Sequence, residues 1–160
     1  MKKHIELNVN GSSHRLEVEP SRTLRDVLRE DLGLTGTKRG CDDASCGVCT
    51  VLLDGKAVYS CVLLAPEAQG KAIMTIEGLA RDGQLHVLQK AFIERGAIQC
   101  GFCSPGMMLT AKELLDSNPQ PTEEEVRRAL TGNLCRCTGY AKIIDAVLDA
   151  SQLMTEEAKS

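Results

Sequence analysis

Two stretches near the start of the chain alternate apolar and polar residues as β-strands do. Apolar side chains fall at every second position in residues 5–9 and again in 16–18, and the Asn-Gly pair at 10–11 favours a tight turn between them. Two further short runs, TVLLD and KAVYS, flank the Asp-Gly pair at 54–55. The pattern therefore predicts two β-hairpins.

A short helix is predicted between these hairpins. Thr23 and Asp26 have the spacing of a capping box, apolar residues then fall on one helical face, and Gly33 ends the run. We expect residues 1–76 to form a β-rich unit against which this helix packs.

Beyond residue 83 the apolar positions recur at helical spacing instead. Four short helices are predicted: one with Leu85, Leu88 and Phe92 inward; one from an N-cap at Ser104 to Asn118; one from the Thr122–Glu125 capping box to Gly132; and one with Ile143, Ile144, Val147 and Leu148 inward. Such helices would form a small bundle.

These patterns give an α+β chain with two domains. We assign residues 1–76 to the β-rich domain, 77–83 to a glycine-containing linker, 84–152 to the helical domain and 153–160 to a polar tail.

Composition excludes several classes of partner. The chain has 22 acidic and 19 basic residues, so no basic footprint for nucleic acid exists. No apolar run approaches the roughly 20 residues of a membrane span. The start, MKKHIELNVN, has no unbroken apolar stretch, so we expect no secretory signal and a cytoplasmic protein.

The chemistry of the chain is concentrated in eight cysteines, which fall into two quartets. The first has the spacing C-x4-C-x2-C-x11-C, and the second C-x2-C-x31-C-x-C. Their members are Cys41, Cys46, Cys49 and Cys61, and Cys100, Cys103, Cys135 and Cys137. A C-x4-C-x2-C loop is the arrangement that plant-type ferredoxins use for a [2Fe-2S] cluster, although Cys61 lies nearer in sequence than their fourth ligand.

Disulfides and zinc are the alternatives. A disulfide framework belongs to an oxidising compartment, which the expected location disfavours. One zinc ion could join the two C-x2-C pairs, at 46/49 and 100/103, but four cysteines would then remain unused. On spacing alone, structural zinc stays open.

Four stretches resemble the small iron-sulfur subunit of the xanthine oxidase family of molybdenum hydroxylases: GLTGTKRGC, CGVCTVLLDG, QCGFCSPGMM and GNLCRCTGY. The similarity runs over about residues 3–150. It implies an N-terminal β-grasp, ferredoxin-like domain and a C-terminal four-helix-bundle domain, each with one [2Fe-2S] cluster.

The resemblance also implies partners and a direction. The second quartet would lie beside the molybdopterin cofactor of a large subunit, and the first would face the FAD of a medium subunit, in a heterotrimer or a dimer of heterotrimers. This chain would relay single electrons and have no catalytic residue. An autonomous ferredoxin-like carrier is the alternative function.

Two non-ligand positions stand out under this resemblance. Gln99 matches the glutamine that hydrogen-bonds the pterin, and Cys137 matches the ligand that also contacts it. Ala44 is a departure, because the family commonly has Gly or Ser there, which makes the geometry of that loop less certain.

Overall fold

The computed structural model of the protein describes residues 1–157. Within this range the chain is α+β, and five strands form one mixed sheet in the order β2-β1-β5-β3-β4. The strands are β1 (Lys3–Val9), β2 (Ser12–Val18), β3 (Thr50–Leu53), β4 (Lys56–Tyr59) and β5 (Ala72–Met74).

Both predicted hairpins are confirmed. β1 pairs antiparallel with β2, and β3 with β4. In each turn the two central residues have positive φ, 52° and 82° at Asn10-Gly11 and 50° and 80° at Asp54-Gly55, as a tight two-residue hairpin requires. The strand that sequence patterning missed is β5, which has only three residues and joins β1 to β3.

One helical segment packs on the sheet, as predicted. Helix α1 (Leu24–Asp26) begins where the Thr23 hydroxyl accepts the Asp26 N–H, and continues as a π-helical turn, Val27–Asp31. Its buried residues Leu24 and Leu28 join Leu7 and Val51 from the sheet in one hydrophobic core.

The second half contains helices α2 (Val87–Glu94), α3 (Ser104–Ser117), α4 (Glu123–Ala129) and α5 (Ala141–Glu157). The Thr122–Glu125 capping box is confirmed by reciprocal hydrogen bonds. Two details are corrected. Cys103, not Ser104, is the N-cap of α3, and Leu85 is 43% exposed, because it precedes Val87, the first residue of α2, and so does not lie on the buried face of that helix.

The two halves pack against each other. Val48, from the first cysteine loop, and Leu79, from the predicted linker, are buried in the hydrophobic core that α2–α5 share. Helix α3 lies against β3, which explains why all four residues of that strand are buried.

The last helix extends into the predicted polar tail. Helix α5 includes residues 153–157 of the predicted polar tail, and residues 158–160 lie outside the described residues. No helix within residues 1–157 has the length and hydropathy of a membrane span.

Candidate iron-sulfur sites

The first cysteine quartet lies on a loop and a strand end of the β-rich half. Cys41, Cys46 and Cys49 come from the loop before β3, and Cys61 follows β4. The Cys46 thiol is a close neighbour that lowers the pKa of Cys41, and the Cys49 thiol is one that raises the pKa of Cys61. Hairpin β3–β4 therefore brings the distant fourth cysteine back to the loop.

The second quartet joins two segments that precede helices. Cys100 and Cys103 come directly before α3, and Cys135 and Cys137 come shortly before α5. The Sγ atoms of Cys100 and Cys137 are 3.5 Å apart, and the neighbouring Cys135 thiol contributes to the raised pKa of Cys103.

In both quartets the strongest interactions between thiols pair the cysteines two by two, and weaker charge interactions connect the pairs. This fits a [2Fe-2S] cluster, whose two irons each carry two thiolates. Tetrahedral zinc needs its ligands around one point. Among residues 1–157, no three His, Cys, Asp or Glu side chains converge on one point as the ligands of a single metal ion do. The C-x2-C pairs at 46/49 and 100/103 also contact partners in their own quartets, which disfavours the shared zinc site.

The thiols differ in acidity. Burial, followed by the neighbouring thiol of Cys135, raises the pKa of Cys103 to about 12, and burial beside Cys49 raises the pKa of Cys61 to about 11. Hydrogen bonds from the backbone at Asp43 and from Cys46 lower the pKa of Cys41 to about 7. A bound iron would supply the positive charge that the buried thiolates need.

The first cysteine loop depends on two positions with positive φ. Gly47 has φ +69°, and a Cβ there would collide with the carbonyl oxygen of Gly132 in the helical half. Ala44 has φ +63°, and its backbone lies in hydrogen-bonding contact with Cys61. The departure from Gly at this position therefore keeps a left-handed conformation that glycine adopts without strain.

A buried arginine on α1 hydrogen-bonds to the first cysteine loop. The Arg25 side chain is 2% exposed, and its guanidinium donates to the Cys41 carbonyl (3.0 Å), to Asp42 (2.5 Å) and to Asp26. Its backbone N–H donates to the carbonyl of Ser60, the residue before Cys61. Arg25 thus ties both sequence ends of the quartet to α1.

A buried asparagine connects the two sites. Asn133 is 3% exposed, and its Nδ2 donates to Gly47 O (2.9 Å) and to Thr50 Oγ1 (3.2 Å), while its Oδ1 accepts from Thr110 (3.0 Å). The next residue, Leu134, donates its N–H to the carbonyl of Cys46 at 2.9 Å. The segment leading to the second quartet is therefore hydrogen-bonded directly to the first cysteine loop.

The remaining predicted site residue, Gln99, is exposed and lies directly before the exposed Cys100. Sequence reasoning did not single out Arg25 or Asn133. Asn133 lies within the GNLCRCTGY stretch, and this position was the one sequence feature that could have pointed to it. Arg25 resembles an ordinary charged residue of a helix, so nothing in the sequence pointed to it.

Two protein-family models for iron-sulfur domains match the chain, one over each cysteine quartet. Residues 7–76 match the family model described as a 2Fe-2S iron-sulfur cluster binding domain, and residues 75–148 match the one described as a [2Fe-2S] binding domain. The protein is therefore an iron-sulfur protein with two cluster-binding regions.

Similar proteins indicate which class of iron-sulfur protein this chain belongs to. The small FeS subunit of nicotinate dehydrogenase from Eubacterium barkeri is 54% identical over 143 residues, which cover 89% of this chain and 91% of that one. The iron-sulfur-binding subunit of xanthine dehydrogenase from Escherichia coli O157:H7 is 47% identical and covers 92% and 94%. The crystal structure of quinoline 2-oxidoreductase from Pseudomonas putida 86 superposes with a TM-score of 0.93 at 45% identity, covering 97% of both chains.

The chain belongs to the iron-sulfur subunits of the xanthine oxidase family of molybdenum hydroxylases. Its function is electron transfer within an oxidoreductase complex.

Proposed function

We propose that the eight cysteines ligate two [2Fe-2S] clusters, one for each quartet. The pairwise thiol contacts carry this assignment. Cys41 with Cys46 would hold one iron of the first cluster, and Cys49 with Cys61 the other. In the second cluster the corresponding pairs are Cys100 with Cys137 and Cys103 with Cys135.

When bound, the clusters supply one-electron chemistry, which would let this chain relay electrons between the molybdopterin centre of a large subunit and the FAD of a medium subunit. The exposure of Gln99, Cys100 and Cys137 supports the placement of the second site against the large subunit. The amide of Gln99 can donate and accept at once, which suits it to the polar edge of a pterin, and Cys137 would contact the same cofactor.

The chain's own residues fix the ligands and shield them. Burial of Cys49, Cys61 and Cys103 keeps water from their sulfurs, and the contacts of Arg25 and Asn133 hold the first loop in place. We further propose that residues 1–76 form a β-grasp, ferredoxin-like domain and residues 84–152 a four-helix bundle. The mixed sheet with packed α1 and the common core of α2–α5 support this division.

The complex would be a heterotrimer or a dimer of heterotrimers. We place it in the cytoplasm, because eight cysteines without a disulfide fit a reducing compartment.

Metal analysis and EPR test the ligand assignment. The full chain should contain about four irons and, after dithionite reduction, show two [2Fe-2S] signals. Cys61→Ala should abolish one signal and Cys100→Ala the other. Stoichiometric zinc in a colourless protein would overturn the assignment.

Two further experiments test the role of the chain in a complex. Purification from the native host should bring down a molybdenum-containing subunit; a lone monomer would favour the autonomous carrier. Gln99→Ala should retain both EPR signals while slowing cluster reduction by substrate, and loss of a cluster in this variant would contradict the assigned contact.

A further inference from the structure

A threonine outside the two quartets donates to one of their sulfurs. The Thr138 hydroxyl lies 3.1 Å from Cys135 Sγ, and the Thr138 backbone N–H lies 3.5 Å from the same atom. Two donors from one residue thus converge on a single candidate ligand.

The direction of the hydroxyl bond is fixed by its surroundings. The backbone N–H of Tyr140 donates to Thr138 Oγ1 at 3.2 Å, so the hydroxyl oxygen is already an acceptor there. The single hydroxyl hydrogen is then available for the sulfur. A thiolate ligand can only accept, so the bond would persist when Cys135 holds iron.

The Cys135 backbone is held by the same short segment. Its N–H donates to the Tyr140 hydroxyl at 2.8 Å, and Tyr140 itself has φ +70°. Cys135, Thr138 and Tyr140 therefore form a closed network in which the donor and the sulfur cannot separate without breaking a second hydrogen bond.

Hydrogen bonds to cluster sulfurs are among the determinants of reduction potential. A donor stabilises negative charge on the thiolate, and the reduced cluster carries one more negative charge than the oxidised cluster. We propose that Thr138 is a tuning residue whose hydroxyl hydrogen bond to Cys135 Sγ raises the reduction potential of the second cluster. The inference rests on the proposed ligand role of Cys135.

Thr138→Val tests it, because valine keeps the shape of threonine and removes the hydroxyl. Thr138→Ser keeps the donor. Thr131→Val is the matched control, since the Thr131 hydroxyl donates to the Arg128 carbonyl and not to sulfur. The measurement is a redox titration of the full, cluster-loaded chain by EPR, following the signal that Cys100→Ala abolishes.

The midpoint potential of that signal should become more negative in Thr138→Val and stay near wild type in Thr138→Ser and Thr131→Val. The other signal should keep its potential in all three variants. An unchanged potential in Thr138→Val, or an equal shift in Thr131→Val, would overturn the tuning role.

Failure of the second cluster to assemble is a separate outcome from a shift of its potential. If Thr138→Val does not hold the second cluster, Thr138→Ala replaces it, and loss in both with retention in Thr138→Ser would make the hydroxyl a requirement for assembly, contrary to the inference. If the wild-type chain itself lacks two [2Fe-2S] signals, the ligand assignment fails first.

Discussion

Replacing the buried side chain of Asn133 should lower the free energy of unfolding markedly. The side chain lies between the first cysteine loop and α3, where it makes hydrogen bonds to Gly47, Thr50 and Thr110. Asn133→Ala removes all three bonds and leaves a small polar void. Asn133→Asp keeps the shape but replaces the NH2 group, which donates twice, with a second carboxylate oxygen.

The magnitude follows from the partners that remain. Three buried hydrogen bonds are worth about 1 kcal/mol each, or about 3 kcal/mol together. Gly47 O still accepts from the Thr50 hydroxyl at 2.6 Å, so its carbonyl would not be left unsatisfied. We therefore expect Asn133→Ala to lower the free energy of unfolding by about 2–3 kcal/mol.

Asn133→Asp should cost more than the alanine variant. Its carboxylate would face Gly47 O, another acceptor, at a position that is 3% exposed. An uncompensated buried charge is among the most destabilising single changes.

Thermal unfolding of the cluster-loaded chain measures both effects. For a domain of this size, 2–3 kcal/mol corresponds to a fall in Tm of roughly 5–10 °C. Asn8→Ala, at an exposed position of β1, is the matched control and should leave Tm within about 1 °C of wild type. If Asn133→Asp proved no less stable than Asn133→Ala, or if Asn133→Ala matched the control, the hydrogen-bond reasoning would be refuted.

Three other changes have defined outcomes. Gly47→Ala should prevent assembly of the first cluster, measured by iron content, because its Cβ collides with a backbone carbonyl, whereas Gly55→Ala, with φ +80° and open space, should only lower Tm by a few degrees. Arg25→Met should lower the free energy of unfolding, measured by urea titration, by about 2–3 kcal/mol, because hydrogen bonds to charged groups are lost. It should also weaken the EPR signal of the first cluster, and an unchanged signal would contradict the role of Arg25 in holding the loop. In the cluster-free chain at pH 7, iodoacetamide should label Cys41 faster than Cys103, because the pKa of Cys41 is about 7 and that of Cys103 about 12; peptide mass mapping measures both rates, and equal labelling would refute the prediction.

Much of the fold could be predicted from local pattern. The hairpin turns at 10–11 and 54–55 and the Thr122 capping box depend on neighbours within a few residues, and all three are confirmed. Strand β5 could not be found in this way, since three residues carry no periodicity and its place in the sheet depends on β1 and β3. Leu85 was misjudged because its helical spacing to Leu88 continues into the segment before Val87, where α2 begins.

The candidate ligands could be nominated from the sequence, because the short cysteine spacings within 41–49, 100–103 and 135–137 are local. The residues that hold those ligands were not. Asn133 and Gly47 are 86 residues apart in sequence, and Arg25 lies 16 residues before Cys41, so their contacts exist only in the folded chain. No periodicity in a single sequence reports such a pair.

The resemblance motifs extend beyond their cysteines, and the contacts across the two halves supply a physical reason. In CGVC, the glycine leaves room for the Gly132 carbonyl, which also accepts the Tyr59 hydroxyl at 3.1 Å. In GNLCRCTGY, the asparagine binds back to the first loop, the leucine N–H binds the Cys46 carbonyl, and the threonine and tyrosine close around Cys135. These non-cysteine residues therefore fix each site internally and fix the two sites relative to each other. Since electron transfer between clusters depends on their separation, the same short motifs would constrain both the proposed ligand sets and the path between them.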